Sequence, residues 1–336
     1  MPAVSVVLPV RNAVSTLGRA FKSLRGQTWT DWELIAVDDG SVDGGRELLE
    51  QHAATDARIR VLANRGAGLV SALNTGLAEA RGGLIARMDA DDESHVERLS
   101  EQVGLLGRDP RLGLVSCLVN FGGDRERSAG YARHVDWLND LVDPEAIALN
   151  RFVESPLAHP SVMFRRELVD RYGGYRDGDF PEDYELWLRW LDGGVRMAKA
   201  PRVLYAWHDT PGRLSRTDPR YDPENFFRLK AAWVARELRR TAGSRDVLVW
   251  GAGRPTRRRA AHLETHGVRI AAYVDIDPRK IGRTVGDVPV RAPADLPPAD
   301  GAFVLGYVGS RGARELIREA LRGRGFAEGR DFMMCA

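Results

Sequence analysis

Short apolar runs alternate along most of the chain with stretches whose apolar residues return every three or four positions. Residues 4–10, Val-Ser-Val-Val-Leu-Pro-Val, are rich in β-branched side chains and broken by proline, the pattern of a buried strand. Leu17, Ala20, Phe21 and Leu24 then recur at helical spacing. Residues 32–37 form a second strand, closed by the turn sequence Asp38-Asp39-Gly40-Ser41, with a helix carrying Leu48 and Leu49 behind it. A third strand over 59–63 leads through Asn64–Gly68 into a helix over about 69–80. The fourth, Leu84-Ile-Ala-Arg87, ends in acidic residues, and helix is expected straight after them, with Leu99, Val103, Leu105 and Leu106 on it. Such alternation predicts an α/β fold with a doubly wound, mostly parallel sheet.

Further along, residues 112–119 and 159–164 have strand character, with a short helix over 167–170. Between them, 121–156 is poorly patterned apart from a helix through Trp137, Leu138 and Leu141. Gly173-Gly174-Tyr175 is a turn that admits close backbone approach. Pro181 followed by Glu182 and Asp183 starts a helix whose apolar face is Leu186, Trp187 and Trp190, a set that reads as core. Residues 203–208 are a strand closing on His208. The pattern stops at 241–245 and a new unit begins. Strand 246–250 runs into Gly251-Ala252-Gly253, a helix holds Ala260, Ala261 and Leu263, and strand 268–274 closes on Asp275. A strand over 302–308 and a helix over 311–322 follow. The expected domains are 1–240 and 245–336, the second a small Rossmann-like α/β domain.

Length supports that division, since 336 residues supply two cores. A net charge of +2 with dispersed arginines gives no basic surface for nucleic acid. Cys117 and Cys335 stand far apart, without metal-ligand spacing, and fit a reducing, cytoplasmic setting. No stretch reaches the ~20 apolar residues of a transmembrane segment. The first apolar run lacks a basic leader and reads as a strand, not a signal peptide. Peripheral membrane association through a partner or a lipid acceptor stays open, as does the oligomeric state.

Candidate chemistry begins at Asp89-Ala-Asp91-Asp92-Glu93. One reading is a solvated acidic turn capping the next helix. The other is a hard divalent cation, Mg2+ or Mn2+, clamping a diphosphate. Two strands that end in aspartates would bring both clusters to one rim of the sheet, where open α/β sheets bind ligands, and this favours the cation. Arg87 would neutralise the cluster. Asp92 reads as an orienting residue or helix cap and Asp38 as a turn former. His159, before Pro160, is either a substrate contact or structural. Glu182 and Asp183 also complement a helix dipole.

Taken in order, VSVVLPVRN, QTWTDWELIAVDDGS, ARMDADD, HPSVMFRR with GGYRD, and PEDYELWLRW resemble glycosyltransferase family 2, enzymes of the GT-A fold, over residues 4–235. That resemblance implies a nucleotide-diphospho-sugar donor, UDP-linked by default, and a glycan or lipid-linked acceptor. Pro9, Arg11 and Asn12 would lie beside the nucleotide, Asp39 would accept a hydrogen bond from the base, and Asp89 would meet the ribose. Asp91 and His208 would hold the metal, Mn2+ or Mg2+, and Asp183 would be the base that deprotonates the acceptor. Arg87, His159 and Glu182 are further substrate contacts, and the 121–156 region would cover the acceptor. Two positions depart from the family pattern: Arg11 replaces a common aromatic, and Leu73 precedes Asn74 where a basic residue is common.

The chemistry requires these residue types. The donor leaves as a diphosphate whose developing charge a Lewis acid stabilises, and the acceptor hydroxyl attacks as a carboxylate takes its proton. Attack opposite the leaving group inverts the sugar carbon. A nucleotidyltransferase would share the metal but not need Asp183, and a non-catalytic nucleotide-sugar-binding protein would need neither. In the second domain Gly251, Gly253 and Asp275 match an incomplete dinucleotide fingerprint, with Thr256 at the third glycine position. Either a nucleotide or regulatory ligand sits there, or the unit is a scaffold for assembly or docking, which the missing catalytic residues favour.

Overall fold

Period-two burial fixes the centre of the first sheet. In β1 (Val4–Val10), Val4, Val6, Leu8 and Val10 pack into one hydrophobic cluster while Val7 packs into another. α1 (Val14–Arg25) buries Leu17, Ala20, Phe21 and Leu24 against the first face. In β2 (Trp32–Asp38), Trp32, Leu34 and Ala36 alternate in the same way with Ile35 and Val37. Both strands are therefore covered on both faces, and this is why their sequences read as continuous apolar runs. The chain continues through α2 (Gly45–Thr55), β3 (Ile59–Ala63), α3 (Gly68–Glu79) and β4 (Leu84–Arg87). α3 packs closely on β1: a Cβ on Gly76 would stand 2.5 Å from Val7 Cγ1.

After β4 come β5 (Glu93–Ser94), α4 (Arg98–Arg108), β6 (Leu112–Phe121), α5 (Ala129–Asp140) and α6 (Pro144–Asn150). β7 (Met163–Arg165), α7 (Glu167–Tyr172), α8 (Glu182–Asp192), β8 (Arg196–Trp207) and α9 (Leu214–Thr217) follow. The eight strands lie in the order β3-β2-β1-β4-β7-β6-β8-β5. They are parallel from β3 to β4 and between β6 and β8. β7 runs antiparallel to both β4 and β6, and β5 antiparallel to β8. The expected doubly wound, mostly parallel α/β sheet is present with that insertion. α8 buries Leu186, Trp187 and Trp190 on the face opposite α1.

Local expectations differ at three places. No helix follows Asp92 directly. Glu93 and Ser94 pair with Ala206 and Tyr205, and α4 starts only at Arg98, because β8 offers ladder partners that the acidic turn takes first. His159–Ser161 is a 3-10 turn imposed at Pro160, so the strand begins at Met163. β8 begins seven residues earlier than its apolar run suggests, through Arg196 and Lys199.

Lys199 is only 3% exposed, and its ammonium donates to the carbonyl of Leu138. Burial pushes its pKa down to about 7, well below its unfolded value. The folded chain therefore carries a protonation penalty below that value, relieved as pH rises towards ~10. The urea midpoint of the first unit should rise between pH ~7 and ~10, and Lys199→Met should flatten that rise.

The computed structural model describes residues 1–210 and 212–336. Contacts divide them into one unit of 1–147, 156–178 and 182–218 and another of 148–155, 179–181 and 219–336. The second unit contains α10 (Pro223–Thr241), β9 (Asp246–Trp250), α11 (Arg254–Glu264), β10 (Ile270–Val274), β11 (Thr284–Val285) and β12 (Val288–Arg291). It ends with β13 (Ala302–Gly306), α12 (Ala313–Arg322) and β14 (Phe332–Met334). Sequence patterning sets a boundary at 240–245, after α10; the contact division groups α10 with the second sheet. That sheet has the order β11-β12-β10-β9-β13-β14, parallel apart from the β11–β12 pair. Among the described residues no helix is long and apolar enough to cross a membrane.

Candidate active site

The turn after β4 is fixed from below by Arg98, a side chain with no exposed surface. Its guanidinium donates to the carbonyls of Arg87 at 2.7 Å and Val162 at 3.3 Å, to Ser94 Oγ at 2.9 Å and to Gln102 Oε1 at 3.1 Å. Above it, one carboxylate oxygen each from Asp89, Asp91 and Asp92 lies within 4.8 Å of the others. Among the described residues no other group of three acidic, histidine or cysteine side chains comes so close. Arg87 pairs with Asp89. Asp91 Oδ2 accepts from Thr210 Oγ1 at 3.1 Å, and Arg19 donates to the Asp91 carbonyl at 2.6 Å.

Asp92 is wholly buried. Its Oδ1 accepts the His208 amide at 2.8 Å, and its Oδ2 has no partner. Burial, reinforced by Asp89, raises the pKa of Asp91. Burial, with Asp89 and Asp91, holds Asp92 well above the usual carboxylate range. These are not solvated helix caps: the residue at the cap of α4 is Glu97, and Asp92 faces the interior. Three mutually repelling acids, two half-buried and one buried with an orphaned oxygen, suit a divalent cation bound by oxygen.

The ends of β1 and β2 are level, Val10 opposite Asp38 and Pro9 opposite Val37, and Met88 of the β4 end donates to the Val7 carbonyl at 3.2 Å. The loops after all three strands thus share one rim. Asn12, in the left-handed region at φ 50°, accepts the Val42 amide at 2.9 Å, and its own amide donates to Ser41 Oγ. Asp39 accepts from Asn64 at 2.6 Å, from the Gly68 amide at 3.0 Å and from Arg11 at 3.4 Å. Asp38 accepts the Ser41 amide and forms the turn.

Glu182 and Asp183 open α8. His159 Nε2 lies 2.7 Å from the Tyr175 hydroxyl, and its Nδ1 is 3.9 Å from Glu182 Oε1. Burial, followed by Arg87, drives its pKa well below the ordinary value, so the ring is neutral near pH 7. Tyr175 collects the site. Burial raises its hydroxyl pKa, Arg87 opposes, and Glu182, Asp183 and Asp89 each add to the rise. Carboxylates from α8 and from the end of β4 therefore act on one buried hydroxyl. Its backbone is held by Asn74, which accepts the Tyr175 amide at 3.0 Å and donates to its carbonyl at 2.9 Å.

The sequence matches the family model described as glycosyl transferase family 2 over residues 5–173, half the chain. The uncharacterized glycosyltransferase EpsJ of Bacillus subtilis is 30% identical over 256 residues, spanning 70% of this chain and 69% of EpsJ. This chain is a family 2 glycosyltransferase. Its fold is similar to that of mannosyltransferase PcManGT from Pyrobaculum calidifontis, solved with GDP-Man and Mn2+ (TM-score 0.51, 20% identity, 79% of this chain and 69% of that one). It is also similar to TarS of S. aureus, residues 1–349, solved with UDP-GlcNAc (TM-score 0.56, 17% identity, 70% and 66%). Those likenesses show the GT-A fold, and the family membership favours glycosyl over nucleotidyl transfer.

Within this family 2 enzyme, the His208 imidazole lies beside Glu93 and is not among the three side chains of the aspartate group. Its Nε2 lies 3.0 Å from Glu93 Oε1, and Arg213 donates to its carbonyl at 2.7 Å. Asp92, expected to orient or to cap a helix, sits with Asp89 and Asp91 instead. Arg98, Tyr175, Tyr205 and Thr210 were not foreseen from the sequence. Tyr205 accepts the Asp89 amide at 3.2 Å from β8, a contact across 116 residues that no local pattern signals.

In the second unit Gly251 has φ 112°, and a Cβ there would come within 2.8 Å of Val308 Cγ2. Asp275 accepts the Ala252 amide at 2.8 Å, the Asp277 amide at 2.9 Å and Lys280 Nζ at 3.0 Å. Gly253 caps α11, and a Cβ there would meet only Pro255 Cδ, at 3.9 Å.

Proposed function

We propose that the first unit transfers a sugar from a UDP-linked donor, with inversion, to a hydroxyl of a glycan or lipid-linked acceptor. The observation that carries this reading is the clustering of Asp89, Asp91 and Asp92 within 4.8 Å at the strand rim, with the charges of Asp89, Glu182 and Asp183 all felt by the buried Tyr175 hydroxyl. That shared electrostatic reach supports a proton acceptor and the aspartate cluster serving one site, as a single displacement needs. Asp183, half-buried at the start of α8, takes the acceptor proton as the oxygen attacks. The neutral His159 and Tyr175, beside Glu182, hold that end of α8 and the acceptor in register. Pro9, Arg11, Asn12 and Asp39 line the nucleotide end of the rim, and Asp89 meets the ribose while paired to Arg87.

Asp89, Asp91 and Asp92 fit Mn2+ or Mg2+, with His208 as a neighbour held by Glu93. When bound, the cation supplies charge neutralisation at the departing diphosphate. Catalysis is assigned to residues 1–240, and 245–336 is a separate binding or assembly domain. The setting is the cytoplasm, extending to the inner face of a membrane for a lipid-linked acceptor.

Incubation with UDP-sugars and Mn2+ tests the proposal through its products. The expected outcome is release of UDP together with an anomeric configuration, read by NMR, opposite to that of the donor. Release of pyrophosphate, or retention of configuration, would overturn it.

A further inference from the structure

The second sheet reverses its winding at one place. From β9 the chain moves outward to β10 and β12, then returns to place β13 and β14 on the other side. The crevice beyond the carboxyl ends of β9 and β13 is where such sheets take ligands. On one side lie Gly251 to Gly253 and the first turn of α11, and on the other Tyr307 to Ser310. Asp275 is turned into the glycine turn, where both of its oxygens already accept hydrogen bonds, from Ala252, Asp277 and Lys280, and neither is left bare for a ribose. A dinucleotide is therefore a poor occupant.

Two cations face this place without forming an ion pair, although Glu154 acts on Lys230 from a distance. Lys230 of α10 is 1% exposed, donates to the Val153 carbonyl at 3.1 Å and stands 3.8 Å from the centre of the Phe227 ring. The Arg259 guanidinium lies 4.2 Å over the same ring. Its Nη1 would be 3.5 Å from a Cβ on Gly309, and its Nε is buried without a partner. Among the described residues neither cation has an ion-pair partner. Beside Phe227, Tyr307 is 1% exposed, and its hydroxyl meets only the weak partner that the Cys335 thiol provides. Burial, only partly offset by Glu154, pushes the Lys230 pKa down to about 8. A buried ammonium, a partly buried guanidinium, a weakly partnered buried hydroxyl and a helix start all favour an anion.

We propose that this crevice binds the phosphate group of a small phosphorylated ligand, with Arg259, Lys230 and the Tyr307 hydroxyl as its donors and the start of α11 as its field. Two cations match a phosphate dianion, whereas a single carboxylate would leave one charge unbalanced.

The test titrates the full chain with inorganic phosphate in EDTA, so that the aspartates of the first unit hold no cation. Hydrogen exchange is followed by mass spectrometry. Saturable protection is expected at 251–259 and 306–312, with acetate giving none. Arg259→Gln, on a partly exposed helix position, and Lys230→Met should each weaken the binding about tenfold or more while leaving the circular dichroism unchanged. Absence of saturation, equal protection by acetate, or unchanged affinity in a folded Arg259→Gln variant would overturn the proposal.

Discussion

Asp183→Asn is expected to lower sugar transfer about 10²–10⁴-fold while leaving donor affinity within about twofold of the parent. Asparagine keeps the size and the hydrogen-bonding oxygen of the side chain, so the start of α8 is preserved. What it removes is the capacity to accept a proton at the moment of attack. Glu182 does not replace it, because it is 1% exposed and lies against His159. Single-turnover rates at saturating acceptor, set beside donor titration, separate the two effects. Full turnover by a folded variant would remove Asp183 from the role of base.

Asp91→Asn should act on the other half of the site, with activity falling at least about 10²-fold and donor affinity falling with it. The Thr210 hydrogen bond survives the change, so the loop after β8 keeps its anchor. The lost charge is one of three that repel each other in a desolvated pocket. The variant should accordingly be at least as stable as the parent when metal is absent, and lose the stabilisation that Mn2+ brings. Loss of signal from free Mn2+ in an electron paramagnetic resonance titration reads the binding directly. An Asp91→Asn chain that bound Mn2+ and donor like the parent would mean that the cation is held elsewhere.

The residues that could be read from the sequence were those whose local pattern agrees with their tertiary role. β1 and β2 are buried on both faces and their composition says so, and the aspartates fall at the end of a strand where a rim is expected. The rest depends on contacts between distant segments. Arg98 and Lys199 are charged residues in the interior, and charge in a sequence reads as surface. β5 forms because β8 supplies its partners, so two acidic-turn residues leave the helix that their pattern predicts. Asp92 looks like a cap because cap residues and metal ligands are the same amino acids, and only its burial distinguishes them. Nothing in residues 148–155 announces that they group with the C-terminal sheet, where Asn150 accepts from Arg318 at 2.9 Å across 168 positions. β14 and the β11–β12 pair are too short to stand out against the loops around them.

Thermal unfolding of the full chain against a panel of nucleotide-diphospho-sugars, with Mn2+ and with EDTA, tests most directly whether the gathered carboxylates form a donor site. A UDP-linked sugar should raise the melting temperature only when Mn2+ is present, in the parent and in Asp183→Asn but not in Asp91→Asn. A donor shift that persists in EDTA or in Asp91→Asn, or no shift with any donor, would contradict it.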